Sequence, residues 1–389
     1  MGFMNRTNVS DLRGVVKLAV DATVGITDLV EKVHHTIQLG HPPLGTSHAE
    51  KTKGLTGFVY RSIRGTTHLL GRGLDAGLVP VAGLLPETES PVIRDAIVSA
   101  INGVSGDHLV QTGNPLAINM TIRHAGAPLD MEKPDTGNTL ATSTGKLMLF
   151  VHGLCLNDGH WSRDGQNRGE TLATELGYTP LYLRFNTGLP IASNGRQLAV
   201  MLQELIHNWP YPVNELAIVG HSMGGLVARS ACHYAQLESH DWLHQLRSLV
   251  FIGTPHQGAP LERSGNWIEK VMGLSPYAAP FTRITKKRSA GMTDLRHGSI
   301  TDQPQDHVSL PDGVDSYAMA ATLGNKRSRI HERLIGDGLV SVDSALGKAK
   351  DPSHCLAIPN NHQWTGFETG HKELLSHPGV YTQLHHWLQ

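Results

Sequence analysis

This chain has few cysteines and almost no net charge, and each of these features argues against a class of protein. Only three of the 389 residues are cysteine (Cys155, Cys232 and Cys355), and their spacing fits neither a disulfide framework nor a CxxC site. We therefore expect free thiols in a reducing compartment. The formal net charge of -1 lacks the basic excess that phosphate binding needs, so nucleic acid is not expected as a partner.

Long hydrophobic runs are also lacking. No run of roughly 18 uncharged apolar residues occurs, which predicts that no helix crosses a membrane. The amino terminus is interrupted by Asp11, Arg13, Lys17 and Asp21, unlike the unbroken apolar stretch of a signal peptide. The sequence thus predicts a cytoplasmic protein, and peripheral membrane contact is left open as an alternative.

Residues 1–112 are predicted to form an N-terminal helical extension without a chemical motif. From Ser10 to Gln38 apolar residues recur at helical spacing, and Ser10 is suited to cap that helix. Further helices are predicted at Phe58–Leu70 and Val92–Gly103. The amphipathic first helix needs a partner surface. The protein's own core is the favoured one, with a lipid surface or another subunit as alternatives.

Strand and helix signals alternate through residues 113–389, which are predicted to form one α/β domain. Alternation with short connections is typical of βαβ units, in which helices cover both faces of a parallel sheet. The predicted elements are strands Leu116–Arg123, Lys146–Val151, Pro180–Phe185, Leu216–Val219, Arg247–Gly253, Ser316–Ala321 and Cys355–Ile358, with helices Glu170–Leu176, Gly195–Trp209, a helix ending near Glu238, and Glu373–Leu388.

The alternation is interrupted after Pro255 by an insert at about residues 256–310. Few charges occur in it before Lys286, and its apolar side chains are Trp267, Ile268, Val271, Met272, Leu274, Tyr277 and Phe281. Such a segment suits a lid over an acyl chain. Ordinary packing on the top of the sheet is the alternative.

The sequence Gly220-His221-Ser222-Met223-Gly224 joins a predicted buried strand to a predicted helix. A serine on such a sharp turn is exposed at the top of the sheet, and glycines on either side let strand and helix pass closely. The helix amino terminus favours negative charge that develops near the serine. We therefore predict that Ser222 is a nucleophile rather than a helix cap.

A serine nucleophile that attacks a carbonyl needs hydrogen-bond donors for the oxyanion. The strand Lys146–Val151 ends in His152-Gly153-Leu154, where a backbone N–H can point into the crevice above the sheet. The N–H groups of Leu154 and Met223 are the predicted donors. His152 is interpreted as a residue that orients this loop.

The serine also needs a base, and the base needs an orienting carboxylate that follows Ser222 in the chain. Asp337 lies between Gly336 and Gly338 in a tight loop and is the predicted acid. Asp343 is the nearby alternative, but it lies in a sequence typical of a helix start, where a capping role is natural.

The base is harder to choose because the chain has 24 histidines. His371 lies between a glycine-bearing loop and the predicted last helix, from which an imidazole can reach over the sheet, so His371 is the predicted base. The other late candidates are His354 at a predicted strand start, His362 and His377 as solvent-facing residues, and His385 and His386 inside the last helix. His256 is interpreted as shaping the loop at the root of the insert.

Five sequence blocks occur in register and together resemble a known family. The blocks are Val151-His152-Gly153-Leu154, Gly220-His221-Ser222-Met223-Gly224-Gly225, Gly253-Thr254-Pro255-His256-Gln257-Gly258, Gly336-Asp337-Gly338-Leu339-Val340 and Gly370-His371-Lys372-Glu373-Leu374-Leu375. In this order they resemble bacterial triacylglycerol-lipase-like α/β-hydrolases, including inositol-deacylase-like lipases. The resemblance implies an α/β-hydrolase fold, a triad of Ser222, Asp337 and His371, oxyanion donors Leu154 and Met223, and a lid.

The sequence therefore predicts a serine carboxylic-ester hydrolase that acts on a lipid-like or other small ester. Acyl transfer by the same triad is one alternative, and a membrane- or partner-binding protein with a vestigial hydrolase domain is another. No cofactor is expected. His240 and His244 could share a helix face, but two ligands are too few for a closed metal site.

Overall fold

The computed structural model describes residues 13–14, 16–21, 23–24, 59, 61–69, 91–132, 144–163, 166–258, 288–303, 308–325 and 336–389. Two compact units divide the chain, one comprising Met1–Glu89 and Leu109–Ala117 and the other comprising Ser90–His108 and Ile118–Gln389. The predicted boundary between residues 112 and 113 stays a prediction. Most of the predicted lid, at 259–287, and the first helix beyond residue 24 lie outside the described residues.

In the smaller unit the described residues between 13 and 24, and between 59 and 69, are helical, as the spacing of apolar residues predicted. Asn114 connects the first of these segments to the segment Leu109–Ala117, because its Nδ2 donates to the carbonyl of Gly14 at 2.9 Å. Leu116 lies directly against Gly14 and would overlap any larger residue there.

The larger unit is built on an eight-stranded sheet with the order β10-β9-β8-β7-β3-β6-β1-β2. The strands of the described residues are β1 (Thr121–His124), β2 (Ala127–Pro128), β3 (Lys146–Val151), β4 (Ser162–Arg163), β5 (Gln166–Asn167), β6 (Thr179–Arg184), β7 (Glu215–His221), β8 (Leu246–Ile252), β9 (Asp315–Thr322) and β10 (Gln363–Phe367). From β10 to β6 all neighbours are parallel, and β1 and β2 are antiparallel. β4 and β5 form a separate small hairpin.

Helices cover both faces of the sheet. Among the described residues from 91 onward they are α1 (Pro91–Gln111), α2 (Arg168–Glu175), α3 (Ile191–Asn208), α4 (Met223–Leu237), α5 (Ala290–His297), α6 (Val342–Ala345) and α7 (Pro378–Leu388). Successive residues of β3 enter two hydrophobic clusters: Leu149 faces α3 and α4, and Phe150 faces α2 and α7. Because both faces are buried, the central strands are continuously apolar rather than alternating.

Two predicted strands differ from the observed ones. The strand expected at Leu116–Arg123 is β1, which begins only at Thr121. The prediction of a strand at Cys355–Ile358 was wrong, because this segment pairs with no strand of the sheet. The edge strand is β10 at Gln363–Phe367, which pairs with β9. Leu356 and Ile358 are apolar because they join the core cluster beneath α6, not because they enter the sheet.

The predicted closing helix Glu373–Leu388 is divided in the structure. A 3-10 turn covers Glu373–Ser376, and α7 begins at Pro378 with His377 as its cap. The division follows from Pro378, which lacks an N–H and disfavours helical backbone in the residue before it. His354, expected at a strand start, instead ends the 3-10 turn Pro352–His354.

Candidate active site

Ser222 occupies a strained turn between β7 and α4. Its backbone has φ 53 and ψ -122, a region that residues with a side chain rarely adopt. The turn is possible because Gly220 and Gly224 have no side chain. A methyl group on Gly220 would approach Gly225 Cα to 2.6 Å, and one on Gly224 would overlap the carbonyl oxygen of Val151. The Ser222 N–H donates to the carbonyl of Ile252 at 2.9 Å, which attaches the turn to β8.

Asp337 and His371 form a buried pair. His371 Nδ1 lies 2.6 Å from Asp337 Oδ2, and only 3% of the histidine and 4% of the aspartate are exposed. The second carboxylate oxygen accepts from the N–H groups of Leu339 at 2.9 Å and Val340 at 2.8 Å. In this geometry the carboxylate can accept the Nδ1 proton of His371, and Nε2 is the ring nitrogen on the other side from Asp337.

The imidazole of His371 lies beside the Ser222 turn. A methyl group on Gly253, directly after Ile252, would be 3.1 Å from His371 Cε1. The His221 ring is 5.0 Å from the His371 ring between centroids, and His221 Nε2 lies 3.4 Å from the His371 carbonyl oxygen. Within the described part of the chain, Ser222 Oγ makes no hydrogen bond, so the serine–histidine contact is not formed in this structure. Such contacts are often long before substrate binds.

The predicted oxyanion donors lie on two sides of Ser222. Leu154 follows Gly153, where an added methyl group would be 3.1 Å from Ser222 Cβ. Met223 is the first residue of α4, whose amino terminus has free N–H groups and favours negative charge. Neither the Leu154 N–H nor the Met223 N–H donates to another described residue. Both are thus available to a bound oxygen.

Two further buried histidines, which follow β3 and β8 in the chain, have lowered pKa values and pack against aromatic rings. His152 stacks on Phe185 with centroids 4.5 Å apart, its Nδ1 lies 3.0 Å from the Gly153 carbonyl, and burial lowers its pKa to about 4. His256 lies edge-on to Phe251 and 3.4 Å from an Arg229 nitrogen, and burial lowers its pKa well below the usual value.

The remaining alternatives lie away from Ser222 or have structural roles. Asp343 lies in the first turn of α6, which Ser341 caps. His362 stacks on Tyr317 and approaches the Ser316 carbonyl. His377 accepts from the Gly379 N–H at the start of α7. Neither histidine is a freely solvent-facing residue, since both are half-buried.

Sequence reasoning did not single out the residues that support the site from outside the five blocks. Thr187, after β6, accepts from the N–H of Cys155, and Cys155 itself has φ 60. No local sequence pattern could reveal this contact, because it joins parts of the chain 32 residues apart.

Metal and membrane features can be assessed only for the described residues. Among these no group of three or more His, Cys, Asp or Glu side chains is arranged to bind a metal ion. Likewise, none of the described helices combines the length and the apolar character required to cross a bilayer.

Comparisons with known proteins find one family model and a set of solved structures. The model, described as a domain of unknown function (DUF7379), matches residues 120–285. The lipase BlEst2 of Bacillus licheniformis in its mature form is 17% identical, with 70% of this chain and 98% of that chain covered and a TM-score of 0.43. The Pyrococcus furiosus esterase PF2001 is 14% identical, with coverages of 64% and 82% and a TM-score of 0.40.

A third structure, an α/β-hydrolase superfamily protein from Enterococcus faecalis, is 15% identical, with coverages of 69% and 94% and a TM-score of 0.38. No curated protein matches the sequence.

The mostly parallel sheet, its helices on both faces and the strand–Ser222–helix turn define an α/β-hydrolase fold. The predicted fold class is confirmed.

Proposed function

We propose that this protein is a serine carboxylic-ester hydrolase that works through an acyl-enzyme on Ser222. The observation that carries the proposal is the buried Asp337–His371 pair beside the strained Ser222 turn. The narrower likeness to bacterial triacylglycerol lipases, and a lipid-like ester as the substrate, belong to the same proposal and rest on the five sequence blocks.

In the proposed reaction Ser222 Oγ attacks the ester carbonyl while its proton passes to His371 Nε2. Asp337 keeps the Nδ1 proton in place and stabilises the imidazolium that forms. The N–H groups of Leu154 and Met223 donate to the oxyanion. His371 then gives the proton to the departing alcohol, and water attacks the acyl-enzyme in the same way to release the acid.

The burial of the pair supports this chemistry. A charge that develops in a site with little water interacts more strongly with fixed dipoles and with the carboxylate than it would in solvent. The lowered pKa of His152 also fits, because a second imidazolium next to the Leu154 loop would repel the one on His371.

The test is covalent labelling of the full chain with a fluorescent fluorophosphonate, followed by peptide mapping. The expected result is one adduct, on Ser222, and no adduct on the Ser222→Ala variant. An adduct on another residue, or an unlabelled wild-type protein that is folded by circular dichroism, contradicts the proposal. Product analysis with added alcohols separates hydrolysis from acyl transfer.

A further inference from the structure

Helix α1 contacts the loop that carries the proposed oxyanion donor. The contact is made by Gly103, which lies so close to Cys155 that a methyl group would overlap Cys155 Sγ and lie 3.0 Å from its Cα and 3.1 Å from its N. Ala100, one turn earlier, has its carbonyl 3.9 Å from Cys155 Sγ. These residues belong to the segment Ser90–His108, which is part of the compact unit that contains the sheet.

Cys155 directly follows Leu154 and is held in an unusual conformation. Its φ of 60 lies in the left-handed region, which a residue with a side chain occupies only when its surroundings enforce it. Two surroundings do so here. Thr187 Oγ1 accepts from the Cys155 N–H at 3.2 Å, and α1 closes the other side of the buried thiol.

A second contact between α1 and this loop lies two residues further on. Asn157 Nδ2 donates to Ser99 Oγ at 3.2 Å, and both side chains are buried. The same helix also touches the loop that carries Thr187, because Asn186 Nδ2 donates to the Gly106 carbonyl at 3.1 Å. Helix α1 thus contacts both segments that set the backbone around Leu154.

We propose that α1, through Gly103 and Cys155, is a positioning element that orients the Leu154 N–H toward the oxyanion. This inference rests on the proposed function, since it assigns the direction of a donor in that site. A shift of the Cys155 backbone that rotates the preceding Gly153–Leu154 peptide moves the Leu154 N–H without altering Ser222, Asp337 or His371. Because the oxyanion forms only in the transition state, such a rotation lowers kcat and leaves substrate binding nearly unchanged.

The experiment uses Gly103→Ala in the full chain, with Gly65→Ala as the matched control. Gly65 lies in a helix, as Gly103 does, but it is exposed, and a methyl group there meets nothing within 4 Å. Three quantities are measured: kcat and KM for a p-nitrophenyl ester, and the inhibition constant of a trifluoromethyl ketone, which forms a tetrahedral oxyanion on the serine. Thermal unfolding confirms that each variant is folded.

For Gly103→Ala we expect kcat to fall about 10- to 100-fold, with weaker inhibition by the ketone in the same proportion and KM within about twofold of wild type. Gly65→Ala is expected to match wild type in all three. Cys155→Ala removes the overlapping sulfur, so the double variant Gly103→Ala/Cys155→Ala is expected to regain most of the lost kcat. If Gly103 served stability alone, the loss of kcat in Gly103→Ala would instead follow a lowered melting temperature.

Two results overturn the inference. One is a folded Gly103→Ala variant with wild-type kcat and ketone affinity. The other is a folded double variant whose kcat is about one hundredth of the kcat of Cys155→Ala or lower. This second result can be obtained even if Gly103→Ala alone does not fold. The proposed function is judged separately, by whether the fluorophosphonate labels Ser222 of the wild-type protein.

Discussion

The Ser222 turn and the Asp337–His371 pair are built in opposite ways. The turn lies within a few consecutive residues, and its shape follows from backbone sterics at Gly220 and Gly224. The pair joins residues 34 positions apart, which come after β9 and β10 in the chain. It is held by the short side-chain hydrogen bond and by the His371 N–H, which donates to the Asp337 carbonyl at 3.2 Å. Substitutions of the turn glycines should therefore lower both stability and activity. Substitutions in the side-chain pair should lower activity with much less effect on stability.

The largest effect should come from removing the nucleophile. Ser222→Ala is expected to lower kcat by about 10⁴-fold or more, because no other group can form the acyl-enzyme. Its melting temperature should stay close to that of wild type, since alanine retains the backbone contact to Ile252. Ester turnover and thermal unfolding of the same preparation measure both. Retained turnover would remove Ser222 from the chemistry.

The pair should be broken by Asp337→Asn with a loss of kcat on the order of 10³- to 10⁴-fold, because an amide cannot hold the Nδ1 proton as a carboxylate does. Stability should change much less than activity. Asp343→Asn is the matched control, since Asp343 lies in a helix turn capped by another residue. Equal losses of kcat in the two variants would contradict the assignment of Asp337.

Gly224→Ala should show that the Ser222 turn, unlike the Asp337–His371 pair, affects stability as well as activity. The new methyl group meets the backbone carbonyls of Val151 and His152, which cannot rotate away as a side chain could. We expect a destabilisation of about 1–3 kcal/mol together with a loss of activity. Urea unfolding measures it, and Gly65→Ala again serves as the control. If Gly224→Ala lost activity at wild-type stability, the proposed difference between turn and pair would not hold.

The smallest effect concerns pH. Burial lowers the pKa of His152 to about 4, whereas in the unfolded chain it titrates near its ordinary value of 6.5. Between these pH values only the unfolded chain binds the proton, so stability decreases as pH falls through this window. His152→Phe should reduce that slope by at most about 1.4 kcal/mol per pH unit. Urea unfolding between about pH 5 and 7 tests it, and an unchanged slope would mean that His152 is protonated in the folded protein.

The sequence was most informative where structure depends on neighbours in the chain. The strand Lys146–Val151 is observed with the predicted bounds, because a strand buried on both faces needs a continuous apolar run. The edge strand was misplaced, since Gln363–Phe367 is half-polar whereas Cys355–Ile358 is more apolar. At a sheet edge the hydrophobic pattern is weak, and only pairing with β9 decides which segment is the strand.

By itself, the sequence determined the alternation of strands and helices and the turn that carries Ser222, because apolar periodicity and glycine sterics act over a few residues. Only the tertiary structure decided that Asp337 meets His371, that His221 lies against His371, and that α1 contacts Cys155. These contacts depend on the order of strands in the sheet, which brings the ends of parallel strands together. Local patterns carry no information about that order.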